Sequence, residues 1–238
     1  MAGVDLVYHE AAVVSVPESV ADPLESNAVN AEASLQLLEL ARERSARVVV
    51  ASSAAIYGDP ERTPTGEDDR LSPRTPYGVQ KLTLDHYTRL YHELYDLETV
   101  VLRYFNAYGP RAESGEYADV VSVFERQATA GDPITIEGSG GQTRDFVHVD
   151  DIVQANLRAA TTDAVGNAYN IGSGEATSIA DLAELIREIT GSDSPITHTE
   201  ARPGDIGSSL ADISAARADL GYAPTVTLEE GLASTVSN

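Results

Sequence analysis

The chain of 238 residues has no cysteine and no tryptophan, a single methionine, and only one lysine, Lys81, among sixteen basic residues. Without cysteine it can form no disulfide, no thiolate nucleophile and no Cys-based zinc site. No apolar run approaches 18 residues, and no basic segment precedes an apolar one near Met1, so the sequence supports neither a membrane span nor a signal peptide. The default expectation is a cytoplasmic protein. Positive charge is also scarce: 38 acidic residues against 16 basic ones give a net charge of −22, with no basic patch. A field of that sign argues against nucleic acid or an anionic membrane as partner. Acidic residues spread over predicted helices and loops, together with the near loss of lysine, match the surface of a protein from a very salty cytoplasm. At molar salt the Debye length is about 3 Å, which screens the self-repulsion. An ordinary acidic protein is the plainer alternative.

What is present suffices for a sizeable core, since 42% of residues are apolar. VDLVYHEAA (residues 4–12) opens with a β-prone run, and residues 26–43 carry apolar positions at Ala28, Val29, Leu35, Leu38 and Leu40 that suit a helix. RVVVASSAAIYG reads as a buried strand that delivers Ser52 and Ser53 at its C-terminal end. A Pro-, Asp- and Arg-rich loop (59–76) leads into a helix over 77–95, and TVVLRYFNAYG is a further strand. Strands with continuous apolar stretches alternating with helices predict a parallel sheet with crossover helices. Beyond Gly109 the pattern loosens, with a helix predicted over 119–130, a strand-to-helix unit at DFVHVDDIVQANLRAA, a strand at AYNIGSG and a helix capped by Ser178 and ended by Gly191. The fold class expected is α/β, a Rossmann-type parallel sheet plus a smaller C-terminal α/β substrate domain. Residues 1–109 form the later part of a dinucleotide-binding domain and 110–238 a second domain, from which 144–172 returns to the first sheet.

Tyr77 and Lys81 are four apart on the predicted helix and so share a face. A tyrosine with an ordinary value near 10 is a poor base at neutral pH; a neighbouring ammonium, and a positively charged nicotinamide where one is present, stabilise the phenolate and lower it. An ammonium is also a point donor suited to ribose hydroxyls, which a planar guanidinium serves less readily. By spacing alone the pair reads equally as a surface contact, but the retention of one lysine in this chain favours a function. Ser52 and Ser53 fall where parallel sheets present ligand-facing residues, and a hydroxyl there can hold the oxygen whose proton the tyrosine takes. His86 and His92 are six apart on a helix and no HExxH occurs, so no metal site is expected; His9 and His148 are read as serving local hydrogen bonds.

HEAA at 9–12, Val29-Asn30, SSAAIYG, PYGVQK, RYFNAYGP, QTRDFVHVDD, YNIGSG and RPGD occur in an order and spacing that resemble the extended short-chain dehydrogenase/reductase family, and within it the nucleotide-sugar epimerases and dehydratases. The resemblance covers nearly the whole chain. It implies NAD as cofactor, with Tyr77 as acid/base, Lys81 as its activator and ribose ligand, and Ser53 as hydroxyl donor to the sugar O4. It places Asn30, Ser52 and Tyr104 near the cofactor. Asn106, Arg144, Arg202 and Asp205 would hold a nucleotide-diphosphate sugar, most simply a UDP-sugar, with the two arginines on the diphosphate and Asp205 on the uridine ribose. Local guanidiniums make physical sense where a −22 protein must bind a diphosphate. Tyr117 and Gln142 would line the sugar pocket. In dehydratases and decarboxylases of the family an acidic residue follows the strand-end hydroxyl; here Ala54 and Ala55 stand there, which favours epimerisation at C4 over elimination. Family members are usually dimers through helices matching residues 26–43 and 77–95.

The family's Gly-x-x-Gly-x-x-Gly turn is not found. GSGG at 138–141 and IGSGEAT at 171–177 lack its glycine spacing and match other family segments. The expectation is therefore a chain whose first strands and glycine loop are missing, leaving DLVYHEA as an unpaired sheet edge prone to capture a strand. A non-catalytic UDP-sugar-binding remnant, and a uronate epimerase or dehydratase, are the alternative functions.

Overall fold

A computed structural model describes residues 3–112, 119–201 and 206–236. In chain order its strands and helices are β1 (Leu6–His9), α1 (Val16–Ala21), α2 (Pro23–Asn27), α3 (Ala33–Arg42), β2 (Arg47–Ser53), α4 (Pro76–Tyr95), β3 (Thr99–Tyr104), β4 (Asn106–Tyr108), α5 (Val120–Ala130), β5 (Ile134–Glu137), β6 (Thr143–Arg144), β7 (Phe146–His148), α6 (Val149–Ala159), β8 (Asn167–Ile171), β9 (Thr177–Ser178), α7 (Ile179–Thr190), β10 (Ile196–Thr199) and α8 (Leu228–Val236). Four of the strands form one parallel sheet in the order β1-β2-β3-β8. Val48, Val49, Val50, Val100, Val101 and Leu102 are fully buried, which is what continuous apolar strands covered on both faces require. Alternate residues supply separate cores: Val49, Val100 and Leu102 pack towards α6, whereas Val48, Val50 and Val101 pack towards α3 and α4. Among the described residues β1 pairs only with β2, so its outer edge is open, and Tyr8 on it is 40% exposed.

The predicted helix over 26–43 is longer and interrupted. It begins at Pro23 and passes through a π-helical turn at Ala28–Glu32 before α3. The widened turn carries Asn30, which is buried. α1 was not evident in the hydrophobic period, although Ser15 caps it by accepting from the Glu18 N–H and Pro17 lies in its first turn. The helix predicted over 77–95 is α4, capped by Thr75 with Pro76 as its first residue and ended by Asp96 in the left-handed region.

A second core forms around α5, α7 and α8, with Phe124, Ile134, Ile136, Leu182, Ile186 and Leu232 at its centre. β5 pairs in parallel with β10, β4 with β7, and β6 runs antiparallel to β9. Residues 211–222, placed with the second domain by sequence, contribute Ala211, Ile213, Ala216, Leu220 and Tyr222 to the first core.

Arg103 of β3 is 2% exposed and ties these parts together. Its Nε donates to Asp85 Oδ2 of α4 at 2.8 Å, and its Nη1 donates to the Tyr57 hydroxyl and the Glu67 carbonyl, each at 2.8 Å. Tyr57 in turn donates to Asn170 Oδ1 of β8 at 2.7 Å, and Asn170 Nδ2 donates to the Thr65 carbonyl at 2.9 Å. Removing one member of a buried pair leaves an uncompensated charge and costs about 3–5 kcal/mol. Arg103→Met is expected to lower the urea-unfolding free energy in molar KCl by about that amount. A loss below about 1 kcal/mol would show that the network does not hold the fold.

Candidate active site

The C-terminal ends of β2 and β3 and the first two turns of α4 converge on one locus. Thr75 Oγ1 accepts from the Gly78 N–H at 3.1 Å, and Ser19 Oγ of α1 accepts from the Tyr77 N–H at 3.2 Å, so two donors of the helix start are met by side chains that also fix its position. Gly78 lets the helix come close to the end of β2: a Cβ there would lie 2.8 Å from the Ala55 carbonyl oxygen and 3.0 Å from Pro73 Cβ. The approach sets Tyr77 close enough to Ser53 for the serine to act on its proton affinity.

Lys81, 3% exposed, donates from Nζ to the Ala51 carbonyl at 2.7 Å, and its Nζ lies 5.9 Å from the Tyr77 ring centroid. Burial pulls Lys81 down from a free-lysine value of 10.5 to about 8, opposed by the charge of Glu10. Tyr77 is pushed up, by burial first, with Ser53 working the other way. Desolvation is the first cause of the Tyr77 shift, and the direct hydrogen bond of the ammonium is to a backbone carbonyl.

Around this centre the polar side chains are interlocked. Asn30 Oδ1 accepts from the Val13 N–H at 2.8 Å, and its Nδ2 donates to the Val13 carbonyl at 2.9 Å and to Gln80 Oε1 at 2.8 Å. Every polar atom of that amide is thus occupied in pinning the 10–15 loop to α4. Gln80 passes the link on by donating to Ser26 Oγ at 2.9 Å. Ser34 donates to the Asn30 carbonyl, so at 2.7 Å from His9 Nε2 it must accept, and His9 carries its proton on Nε2. Burial and Lys81 lower the His9 value, which keeps it neutral. His148 caps α6 by accepting from the Asp150 N–H at 3.2 Å.

Ser52 faces the α3 and α4 side with Val48 and Val50, and its buried Oγ has no hydrogen-bond partner among the described residues. Tyr104 is opposite Ser53 in the β2–β3 register. Asn106 lies exposed two residues further on, its N–H donating to the Asp145 carbonyl at 3.0 Å, which sets it beside Arg144. Arg144 is 8% exposed and donates from Nη1 to the Thr143 carbonyl at 2.8 Å. Ser53 and Tyr104 thus end the two inner strands, Tyr77 and Lys81 meet that end from α4, and Asn106 and Arg144 follow in β4 and β6. Arg202, Asp205 and Tyr117 lie outside the described residues. Gln142 donates from Nε2 to the Glu137 carbonyl at 2.9 Å.

Sequence reasoning assigned no role to Glu10, Asp145 or Asn156. Asp145 is fully buried and its carboxylate accepts from the N–H groups of Ser173, Gly174 and Ala211, joining β6 and β7 to the 173–174 and 211 segments. Glu10 was within reach, since it stands inside the quoted HEAA motif directly after β1.

A strand-end serine, and a tyrosine and lysine one helical turn apart, set on a parallel sheet, define a short-chain dehydrogenase/reductase of the extended type. A profile of the NAD dependent epimerase/dehydratase family matches residues 1–172. UDP-glucose 4-epimerase from Mycolicibacterium smegmatis is 38% identical over 235 residues, covering 98% of this chain and 75% of that protein. The crystal structure of UDP-glucose 4-epimerase from Thermotoga maritima with UDP-glucose superposes with a TM-score of 0.95 at 37% identity, over 98% of this chain and 76% of that one. A mutant of UDP-glucuronic acid 4-epimerase from Bacillus cereus, in complex with NAD and UDP-4-deoxy-4-fluoro-glucuronic acid, gives 0.91 at 32% identity, over 99% of this chain and 75% of that one. The chain belongs to the NAD dependent epimerase/dehydratase family.

The donor set here fits that cofactor. An ammonium has three N–H donors, and Lys81 directs one of them to Ala51, leaving buried donors for a ribose diol.

Because the folded value of Lys81 lies below the unfolded one, burying the ammonium costs stability in full below pH 8, and the cost fades as pH rises towards 10.5. Lys81→Met is expected to raise the unfolding free energy at pH 7 by on the order of 2 kcal/mol. Urea titrations should show that gain shrinking between pH 8 and 10. A gain that stays constant across this range would exclude a buried charge as its source.

Proposed function

We propose that the chain binds NAD and a UDP-sugar and inverts the sugar at C4 through a transient 4-keto form. The observation that carries this reading is the meeting of Ser53, at the end of β2, with Tyr77 and Lys81 of α4, Lys81 being drawn onto β2 by its 2.7 Å bond to the Ala51 carbonyl, with Ala54 and Ala55 rather than an acid following in sequence. Tyr77 takes the proton from the sugar O4 and returns it, and Ser53 holds the same oxygen by a hydrogen bond. Lys81 orients the ribose. Asn106 and Arg144, in β4 and β6 beyond the end of β3, hold the nucleotide-sugar together with Arg202 and Asp205, the two arginines engaging the diphosphate. Asn30 and Ser52 act behind this layer, Asn30 by fixing the loop after β1. When bound, NAD supplies the hydride acceptor and donor for C4 and, in its oxidised form, positive charge beside the phenol. Tyr77, held up by burial in the free site, needs such charge to become a base. The names of the relatives support the substrate class. The acidic surface supports a working range near molar salt.

The protein is proposed to act as a homodimer. Val79, Tyr87, Leu90 and Leu94 line the outer face of α4, and Leu24 and Leu40 are exposed on α2 and α3; Leu24 is 83% and Leu94 59% exposed. An apolar stripe at helical spacing on the outside of a helix calls for a partner surface. Leu94→Glu is expected to halve the mass seen by light scattering in molar KCl, and an unchanged mass would place the interface elsewhere.

A second reading rests on the open edge of β1: the chain binds a UDP-sugar but takes up NAD only after another strand pairs there. Calorimetry with NAD separates the two, since binding by the chain alone supports the enzyme and no binding supports the sugar-binding protein. If the chain is the enzyme, Tyr77→Phe should lower the interconversion of UDP-glucose and UDP-galactose by about 10²–10⁴-fold while UDP-sugar affinity stays within a few-fold. Retained turnover in that variant would remove Tyr77 from the chemistry.

A further inference from the structure

Glu10 and Tyr104 come from strands that are not neighbours. β2 lies between β1 and β3, and at a strand spacing of about 4.8 Å a direct contact must reach over its end. It does so there: the Tyr104 hydroxyl donates to the Glu10 carboxylate, at 3.1 Å to Oε1 and 3.2 Å to Oε2. Since the phenol donates its one proton to Glu10, it accepts from Asn156 Nδ2 at 2.7 Å. The other proton of that amide goes to the Ile152 carbonyl at 3.0 Å, which fixes the amide to α6. Each hydrogen bond of the relay, from α6 through Tyr104, thus points its proton towards Glu10. Beneath the bridge, at the end of β2, lie the Ala51 carbonyl that holds Lys81 and the Ser53 hydroxyl that meets Tyr77.

We propose that Glu10 is a positioning residue for the chemistry proposed above, a carboxylate held over the end of β2 by Asn156 and Tyr104 to keep the buried Lys81 in its ammonium form. The proposal rests on that functional reading for its purpose and on the relay for its geometry. The charges around Lys81 single out Glu10 for the task. From β1, His9 is neutral and gives no compensation. On α4, Tyr77 is held as a phenol, and Asp85 is taken up by Arg103 and Arg89. From β3, Arg103 faces Asp85 and Tyr104 is an uncharged donor to Glu10. Glu10 is the group whose charge opposes the desolvation of Lys81; burial raises the value of Glu10 itself, and the Tyr104 hydrogen bond and then Lys81 work against that rise to favour the charged carboxylate. A carboxylate in this place also restrains an arriving positive charge from expelling the proton of Lys81.

The chain's single lysine makes the test site-specific. Lysine labelled with ¹³C at Cε gives one side-chain resonance, whose shift against pH reports Lys81 alone in the intact, ligand-free chain. The wild type should titrate near pH 8. Glu10→Gln should move the midpoint down by about half a unit or more, so that at pH 8 the ammonium fraction falls from about one half to about one quarter. Tyr104→Phe, which keeps the ring and releases the carboxylate, should shift it in the same direction by less, and Glu10→Asp should restore part of the difference. A midpoint that moves by less than about 0.2 unit in both Glu10→Gln and Tyr104→Phe overturns the proposal. Turnover of UDP-sugar is read separately: a chain without epimerase activity but with a Glu10-dependent lysine titration upholds the electrostatic role and removes the functional reading. In an active chain, Glu10→Gln should draw the alkaline limb of the kcat/KM profile to lower pH by the shift seen in the lysine resonance.

Discussion

The ion pair between Arg103 and Asp85 is the constraint from which the rest of the molecule hangs. A guanidinium that is 2% exposed is tolerable only if its donors are met, and here they are met from α4, from Tyr57 and from the Glu67 carbonyl. Satisfying one charge thus fixes the helix that carries Tyr77 and Lys81, the loop that follows β2, and, through Asn170, the strand on the far side of β3. Such pairs add specificity more dependably than stability, because their mutual attraction has first to offset desolvation. In this protein the specificity gained is angular: α4 cannot rotate on the sheet without stranding Arg103.

Positive charge is allocated with economy. With 38 acidic residues on the chain, a cation on the surface finds a partner nearby, as Arg42, Arg62, Arg70 and Arg187 do with Glu39, Asp69, Glu61 and Glu184. The pairs on exposed faces count for little in concentrated salt. The cations below the surface are different in kind. Arg103 is locked into a planar fork of hydrogen bonds, while Lys81 has a compact head, one backbone acceptor and a lowered proton affinity. A guanidinium could not sit at position 81 and still change its charge near neutral pH.

Much of this arrangement was written locally and could be read from the chain. RVVVASS announces a strand covered on both faces, and the Ser178 to Gly191 stretch carries its own start and stop signals, so β2 and α7 fell where the pattern put them. The four-residue interval between Tyr77 and Lys81 likewise needs only a helix to acquire meaning. What stayed hidden depends on partners distant in sequence. ITHT at 196–199 becomes a strand because it lies alongside Ile134–Glu137, and three-residue stretches such as Asn106–Tyr108 have no period to detect. The π-helical turn at Asn30 arises from a side chain drawn to Val13 and Gln80, contacts 17 and 50 residues away in sequence. The HEAA motif marks the place of Glu10, but its partner Tyr104 is 94 residues away and meets it over the end of an intervening strand. The burial that raises Tyr77 is hidden for a related reason: a sequence records the neighbouring charge and not the loss of water.

Gly78 gives this site a fragility of its own. It carries no functional group, yet the distance between a serine on the sheet and a tyrosine on the helix is set by what it lacks, since one added carbon would meet the Ala55 carbonyl at 2.8 Å. Each residue with chemistry to perform has some latitude, because a side chain can pivot. The bare backbone at position 78 has none. The residue with least room to change is therefore one that a search for reactive groups passes over.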